Sequence, residues 1–320
     1  MGNHIDSLIQ EEMRQEIAAS ASRSKRKVVA KVVTELKERS PLKRRLQRGV
    51  LFVALLVGAV GMVAPFLWMI TTSLAASGPD FGADRAWWQE WIPTSFAWQN
   101  YVRIWQDKNV PFAMFYLNSL FVSFCVTFGQ VATSAMAAYA FARLSFPGRD
   151  RLFFGYLATM MIPGAVTMIP VFILLRHFGW IDTYKALILP GIFSAYGTFM
   201  LRQFFLTLPK DLEDAAKIDG CSYVRIFWHI ILPLSKPALA TLTTFTFMGA
   251  WMNLMWPLIV VNTHTKYTLP VGLAYFQGVH GTDWTLLMAA SMMMILPILV
   301  VFLFNQRFFV EGIKLTGIKG

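Results

Sequence analysis

The residues best able to do chemistry gather in one polar stretch, Leu208 to Pro237, reading LPKDLEDAAKIDGCSYVRIFWHIILPLSKP between hydrophobic segments. Pro209 suits the first position of a helix, where the N–H it lacks has no partner, and Asp211, Glu213 and Asp214 then place carboxylates at the positive end of the helix dipole. Gly220 follows about three turns later. Glycine accepts the left-handed backbone that ends a helix, and Ser222 can cap a second helix through Tyr223, Arg225, Phe227 and Trp228 toward Pro233. Two short helices meeting at a corner make a docking surface. The small Ala215–Ala216 pair permits close approach, and the acids can reach basic residues of a partner. The plainer alternative is an amphipathic loop lying on a membrane.

Chemistry of the bond-breaking kind has no comparable site. His4, His177, His229, His264 and His280 are scattered and form no HExxH or similar set, so no catalytic constellation and no metal site is assembled. Cys125 falls in a hydrophobic segment and Cys221 in the polar stretch, which indicates neither a disulfide framework nor a zinc cluster. A GxxxxGK[ST] phosphate loop is missing from the sequence, so this chain is expected to bind no nucleotide itself.

The elements that must position the polar stretch are transmembrane helices. Over 320 residues the chain is 56% hydrophobic and 15% charged, with mean hydropathy +0.49, too apolar for an ordinary soluble domain. Its net charge of +11 would suggest nucleic acid in a soluble protein. Here residues 1–49, ahead of the first apolar run, hold twelve of the 29 basic residues, which marks a cytoplasmic, membrane-flanking tail rather than a nucleic-acid arm.

Six apolar runs follow, at about 50–74, 112–144, 152–175, 187–206, 238–261 and 286–308, each read as a span. Ser235 and Pro237 are start signals for the fifth. Both termini then lie in the cytoplasm. Of the basic residues only Arg85, Arg103, Lys108, Arg176, Lys185 and Lys266 fall in outside segments, the asymmetry expected of that orientation. Trp87, Trp88, Trp91, Trp98 and Trp105 crowd the first outside loop, at the depth where amphipathic rings settle. In the third span, Pro163 and Pro170 each remove a helix hydrogen bond on nearly one face, so a kink is expected there, with participation in a gate as the alternative reading. The expected fold is therefore all-α, with a basic tail (1–49) and a permease domain (50–320) that includes the polar stretch 208–237.

The spacing of Asp214, Ala215, Ala216, Gly220, Ile230, Leu232 and Pro233 resembles the EAA motif of binding-protein-dependent ABC importer permeases, with aspartate where glutamate is usual and Glu213 just before it. Asn100–Tyr101, Asn118–Ser119, the run AAYAFARLSFPGRDRLFF, Pro163, Pro170, Arg202 to Phe205, WPLIV, TLPVGL and the terminal GIKG are similar to the carbohydrate-uptake branch, its MalG-like members. One departure is Trp251–Met252, with Asn253 one position later than the usual Trp-Asn. The resemblance implies that Glu213, Asp214, Ala215, Ala216 and Gly220 dock an ATPase subunit. It also implies a homologous, MalF-like second permease, two ATPase subunits that hold ATP and magnesium, an external solute-binding protein, and residence in the bacterial inner membrane.

Sugars offer hydroxyls for hydrogen bonds and apolar ring faces for stacking, so Asn118, Tyr196, Trp251 and Asn253 are candidates for the substrate path. Each has a packing alternative, because intramembrane amides glue helices and Trp anchors interfaces. A permease for a non-carbohydrate solute is the nearest competing function. A secondary transporter or channel would need coupling acids, which are nearly absent from the spans.

Overall fold

The computed structural model describes residues 41–78, 91, 96–107, 110–278 and 281–317. Trp87, Trp88, most of the basic tail and the last three residues lie outside them. The chain divides into two compact units, residues 1–66 and 67–320. Described residues of the first belong to one helix, α1 (Pro41–Ser73). Its apolar side chains from Leu46 to Phe66 are largely exposed, as a helix hydrophobic all round is when lipid is its solvent.

In the second unit the last turn of α1 is tied to α2 (Gln99–Gln106). The Asn100 amide donates to the carbonyls of Ser73 and Ala75, 2.9 Å each, and the Tyr101 and Ser73 hydroxyls are 2.8 Å apart. The helix that organises this unit is α3 (Phe112–Arg143), against which α7 (Ala195–Thr207) and α10 (Lys236–Trp251) pack. Close approach here is made by small residues. A Cβ on Gly129 would stand 2.6 Å from the Ile192 side chain, and one on Gly197 2.6 Å from the Ser134 hydroxyl. Without a hydrophobic drive between helices in lipid, such contact is what holds a bundle. On the far side of α10 lies α13 (Trp284–Gly317).

Three clusters stack along α3. Ile104, Phe112, Phe115, Trp251 and Leu269 surround its start, Val122, Val126, Leu187 and Val260 its middle, and Ala138, Leu201, Phe205, Ala216, Ile226 and Ile231 its end. Gly272, in the short α12 (Leu269–Leu273), lies under Phe115. Helices account for nearly all the described regular structure, as expected of an all-α protein. Among described residues the sole strand pairing is Gln277–Gly278 with Gly281–Thr282, antiparallel.

The helices depart from six uninterrupted spans. Among the described residues Arg45–Ser73, Phe112–Arg143 and Trp284–Phe308 are long and apolar enough to cross a bilayer, and two bent pairs bring the number to as many as five if each is counted as one span. One pair joins Arg149–Met161, which contains α4 (Arg149–Ala158), to α5 (Gly164–His177) at 100°. This is the expected kink, and Pro163 makes it: Ile162 before it is forced into extended backbone (ψ 118°) because proline excludes the helical region from its predecessor. Pro170 makes no break and sits inside α5. The expected fourth span is also interrupted. It consists of α6 (Tyr184–Ile188), a 3₁₀ turn over Leu189–Ile192, and α7. Ser194 starts α7 afresh by accepting the Gly197 N–H at 3.0 Å. The expected fifth span stops at Trp251 and resumes as α11 (Met255–Val260). Pro237 does open α10, but the Ser235 side chain caps nothing and is buried.

At the other end of the bundle, Asp182 takes a left-handed backbone (φ 59°) and clasps the chain after α11. Its carboxylate accepts the N–H groups of Asn262 and Thr263 at 3.1 and 3.0 Å, the Thr263 hydroxyl, and the Lys266 ammonium at 3.1 Å.

Candidate functional site

The polar stretch folds as two helices and a corner. The first, α8 (Asp211–Ile218), begins two residues after Pro209, so the proline is a lead-in rather than the first helical residue. Gly220 has φ 79° and closes α8 as expected. The Cys221 N–H reaches back to the Ala216 carbonyl at 2.9 Å and the Gly220 N–H to the Lys217 carbonyl at 3.0 Å. These two bonds make a Schellman ending, which satisfies carbonyls that α8 would otherwise leave open. The Ser222 hydroxyl then caps α9 (Tyr223–Ile226) by accepting the Arg225 N–H at 3.4 Å. A π-helical turn, Phe227–Ile231, continues α9 up to Pro233. Proline cannot donate to the His229 carbonyl four residues back, and widened turns arise where that ladder is interrupted.

Burial sorts the motif residues. Asp211, Asp214, Ala215 and Gly220 are exposed, whereas Ala216 and Glu213 are buried. Glu213 therefore does not present its charge outward with Asp214. It turns inward to Arg143 at the end of α3, 3.0 Å from the guanidinium Nε, with both side chains almost fully enclosed. The same guanidinium donates to the carbonyls of Phe205 and Leu208 at the end of α7. One planar cation thus holds the ends of α3 and α7 and the start of α8 together, a use that the five-donor geometry of arginine suits. Arg202 strengthens the junction. Its Nε donates to the Phe141 carbonyl at 3.2 Å and its guanidinium lies 4.1 Å from the Phe153 ring centre, on α4. In the sequence Arg143 is one basic residue of the run AAYAFARLSFPGRDRLFF, with nothing local to mark this role. Its role turns on Glu213, which is distant in sequence.

Outward, the corner shows an apolar tip. Ile218 is 87% and Val224 67% exposed, Leu212 and Tyr223 are exposed too, and so are the charged Asp211, Asp214, Lys217, Asp219 and Arg225 of the same stretch. Exposed apolar side chains among charged ones, over a buried ion pair, have the composition found where protein surfaces meet.

Two of the four path candidates prove to be internal fastenings. The Asn118 amide donates to the carbonyls of Thr265 and Tyr267 at 2.8 and 2.9 Å, and its oxygen accepts the Tyr184 hydroxyl at 2.7 Å. Both amide hydrogens and one acceptor site of the oxygen are thus engaged within the chain. Trp251 is fully buried, donating to the Met294 carbonyl at 2.9 Å. Tyr196 and Asn253 are exposed, and Asn253 lines a cavity.

Known proteins share this architecture. Residues 130–313 match the model of the binding-protein-dependent transport system inner membrane component family. The arabinooligosaccharides transport system permease protein AraQ of Halalkalibacterium halodurans is 37% identical over 228 residues, 71% of this chain and 81% of that one. The trehalose/maltose transport system permease protein MalG of Thermococcus litoralis is 34% identical over 278 residues, 86% of this chain and 98% of that one. The sn-glycerol-3-phosphate transport system permease protein UgpE of Yersinia pestis is 37% identical over 228 residues, 69% and 81% respectively. In fold the chain is similar to a chain of a bacterial ABC transporter involved in the import of the acidic polysaccharide alginate, at a TM-score of 0.74 and 24% identity, over 83% of this chain and 97% of that one.

Proposed function

Because the chain belongs to the family of binding-protein-dependent transport system inner membrane components, we propose that it is a permease subunit of an ATP-driven sugar or oligosaccharide importer in a bacterial inner membrane, and that the corner of α8 and α9 docks the ATPase subunit. The observation that carries the docking assignment is the pairing of an exposed tip, Ile218 and Val224, with a buried anchor, Arg143–Glu213. A push on the tip is delivered to α3 and α7 through bonds that have little freedom to give.

Two relatives named for oligosaccharide or disaccharide transport support the substrate class. In this reading both termini are cytoplasmic and six spans are present, the broken α6–α7 segment being the fourth. A homologous second permease, an external solute-binding protein and a pair of ATPase subunits complete the assembly. ATP and magnesium belong to those subunits. Their closure favours one of two arrangements of the corner and so switches access across the membrane, which requires ATP to bind one arrangement better than the other. The 100° break at Pro163 gives α5 freedom to take part in the gate. Exposed Asp214 and Asp211 supply the charges for basic residues of the ATPase, and Glu213 serves from within.

A photo-crosslinker replacing Ile218 tests the docking. The expected product joins this chain to an ATP-hydrolysing subunit. Crosslinks to lipid alone would show that the corner lies on the membrane surface instead.

A further inference from the structure

A half-open groove of about 620 Å³ runs beside α3 between Phe124 and Met136, and its other walls are α10 from Leu239 to Phe247, the π-helical turn after α9, and Val301 of α13. The lining side chains are apolar except for the hydroxyls of Thr127 and Thr243 and the indole N–H of Trp228. Along one wall the rings of Phe124 and Phe128 stack at 6.4 Å, and both, with Met136 and Trp228, are more than half exposed. At membrane depth the cover for such a surface is another helix or a lipid chain. Length separates the two. From Phe124 to Met136 the helix rises about 18 Å, close to the roughly 15 Å of hydrocarbon in one leaflet, whereas a spanning helix would use a seam of about 30 Å.

Charge marks the open end. Lys236 begins α10 three residues before Leu239 and seven before Thr243, so it shares the groove-lining face of that helix. Arg225 stands about one turn before Trp228 in the run of α9 and the π-helical turn. Both cations are exposed, and neither forms an ion pair among the described residues. The sequence has no Asp or Glu between Asp219 and Asp283, so neither has an acid within its own element. Trp228 lies at the same end, as amphipathic rings do at headgroup depth.

We propose that this groove holds an acyl chain of an anionic phospholipid from the leaflet on the side of the corner, with the lipid phosphate paired to Lys236 and Arg225. The proposal rests on the membrane reading of the chain and on no step of transport. The stem of Lys236 lies along apolar surface while its ammonium reaches the headgroup, and the guanidinium of Arg225 offers paired donors to phosphate oxygens. A zwitterionic headgroup carries its own ammonium, which competes with both cations for the phosphate. The helical run Tyr223–Leu234 meets α10 at 79°, and both arms of that bend line the groove, so a chain held there braces the bend beneath the corner.

The test uses the intact complex in nanodiscs of phosphatidylcholine that contain a minor share of photoactivatable lipid, either phosphatidylglycerol or phosphatidylcholine with the reactive group at mid-chain. Crosslinked peptides of this chain are mapped by mass spectrometry, and label on 124–136 and 227–247 is divided by label on the rest of the chain. The ratio is expected to be about fivefold higher with phosphatidylglycerol, and Lys236→Gln to remove most of that preference. Equal ratios for the two lipids, or a preference that Lys236→Gln leaves unchanged, would overturn the proposal. Groove peptides free of label on a chain labelled along α1 would also overturn it, placing a helix of another subunit over the groove while the membrane reading stands. A chain without label anywhere would overturn both.

Discussion

Arg143 decides whether the corner is rigid. Its guanidinium is enclosed with Glu213 and with the carbonyls ending α7, so Arg143→Met leaves a buried carboxylate without its partner. The expected loss is about 3–5 kcal/mol of stability. Thermal unfolding in mild detergent measures it, and Arg143→Met with Glu213→Gln should recover a large part, since the stranded charge is then gone. At Gly220 (φ 79°) no atom outside the local chain lies within 4 Å of a built Cβ, so substitution is resisted by the backbone alone. Gly220→Asn, which tolerates the left-handed region, should support uptake, whereas Gly220→Val carries strain of about 1 kcal/mol or more and should uncouple it. Assays of ATP-driven uptake with the two variants separate backbone from crowding. Asp182 gives a pH dependence. Burial pushes its carboxyl upward, but the Thr263 hydroxyl, the Thr263 and Asn262 N–H groups and Lys266 outweigh that and hold it well below the ordinary carboxylate range. Because the folded value is depressed, the clasp stabilises fully above the unfolded value of about 3.9 and is lost as pH falls through the lower folded one. Amide hydrogen exchange at Asn262 and Thr263 should therefore stay slow at mildly acid pH and become fast in Asp182→Ala.

Element by element, local signals were legible and long-range ones were not. Gly220, Ser222 and Pro237 mark helix ends through their own backbone chemistry, and the sequence places them where the structure does. Pro163 similarly announces its break. Pro170 has the same chemistry yet sits within α5, because a helix can absorb one missing bond when neighbouring turns hold. Glu213 and Asp214 are adjacent and alike in sequence, and only the arrival of Arg143 from another helix sends one inward. Asn118 and Trp251 have the right chemistry for a sugar path, but their partners at Thr265, Tyr267 and Met294 cannot be read from local pattern. Packing between elements gives another test: a Cβ on Gly272 would stand 2.1 Å from the Phe115 ring. Gly272→Ala should cost about 1–3 kcal/mol by overpacking, visible as a lower unfolding temperature, and Phe115→Leu should relieve part of it.

At the largest scale, the features of the second unit are arranged along α3. One end bears the Asp182 clasp, the middle the broken helices and their cavity, and the other end the arginine junction and the corner of α8 and α9. Composition and charge asymmetry made the membrane class legible, because they are sums over many residues and need no knowledge of contacts. The motif spacing made the family legible for the same reason. The most direct test of the account is purification of the tagged chain in mild detergent, native and as the Asp214→Lys, Gly220→Val double variant, with ATP hydrolysis measured and co-purifying chains identified. The account predicts that the native chain brings down an ATPase and a second permease with sugar-stimulated hydrolysis, and that the double variant loses the ATPase. A native chain that purifies alone, or a double variant that retains the ATPase and coupled hydrolysis unchanged, would contradict it.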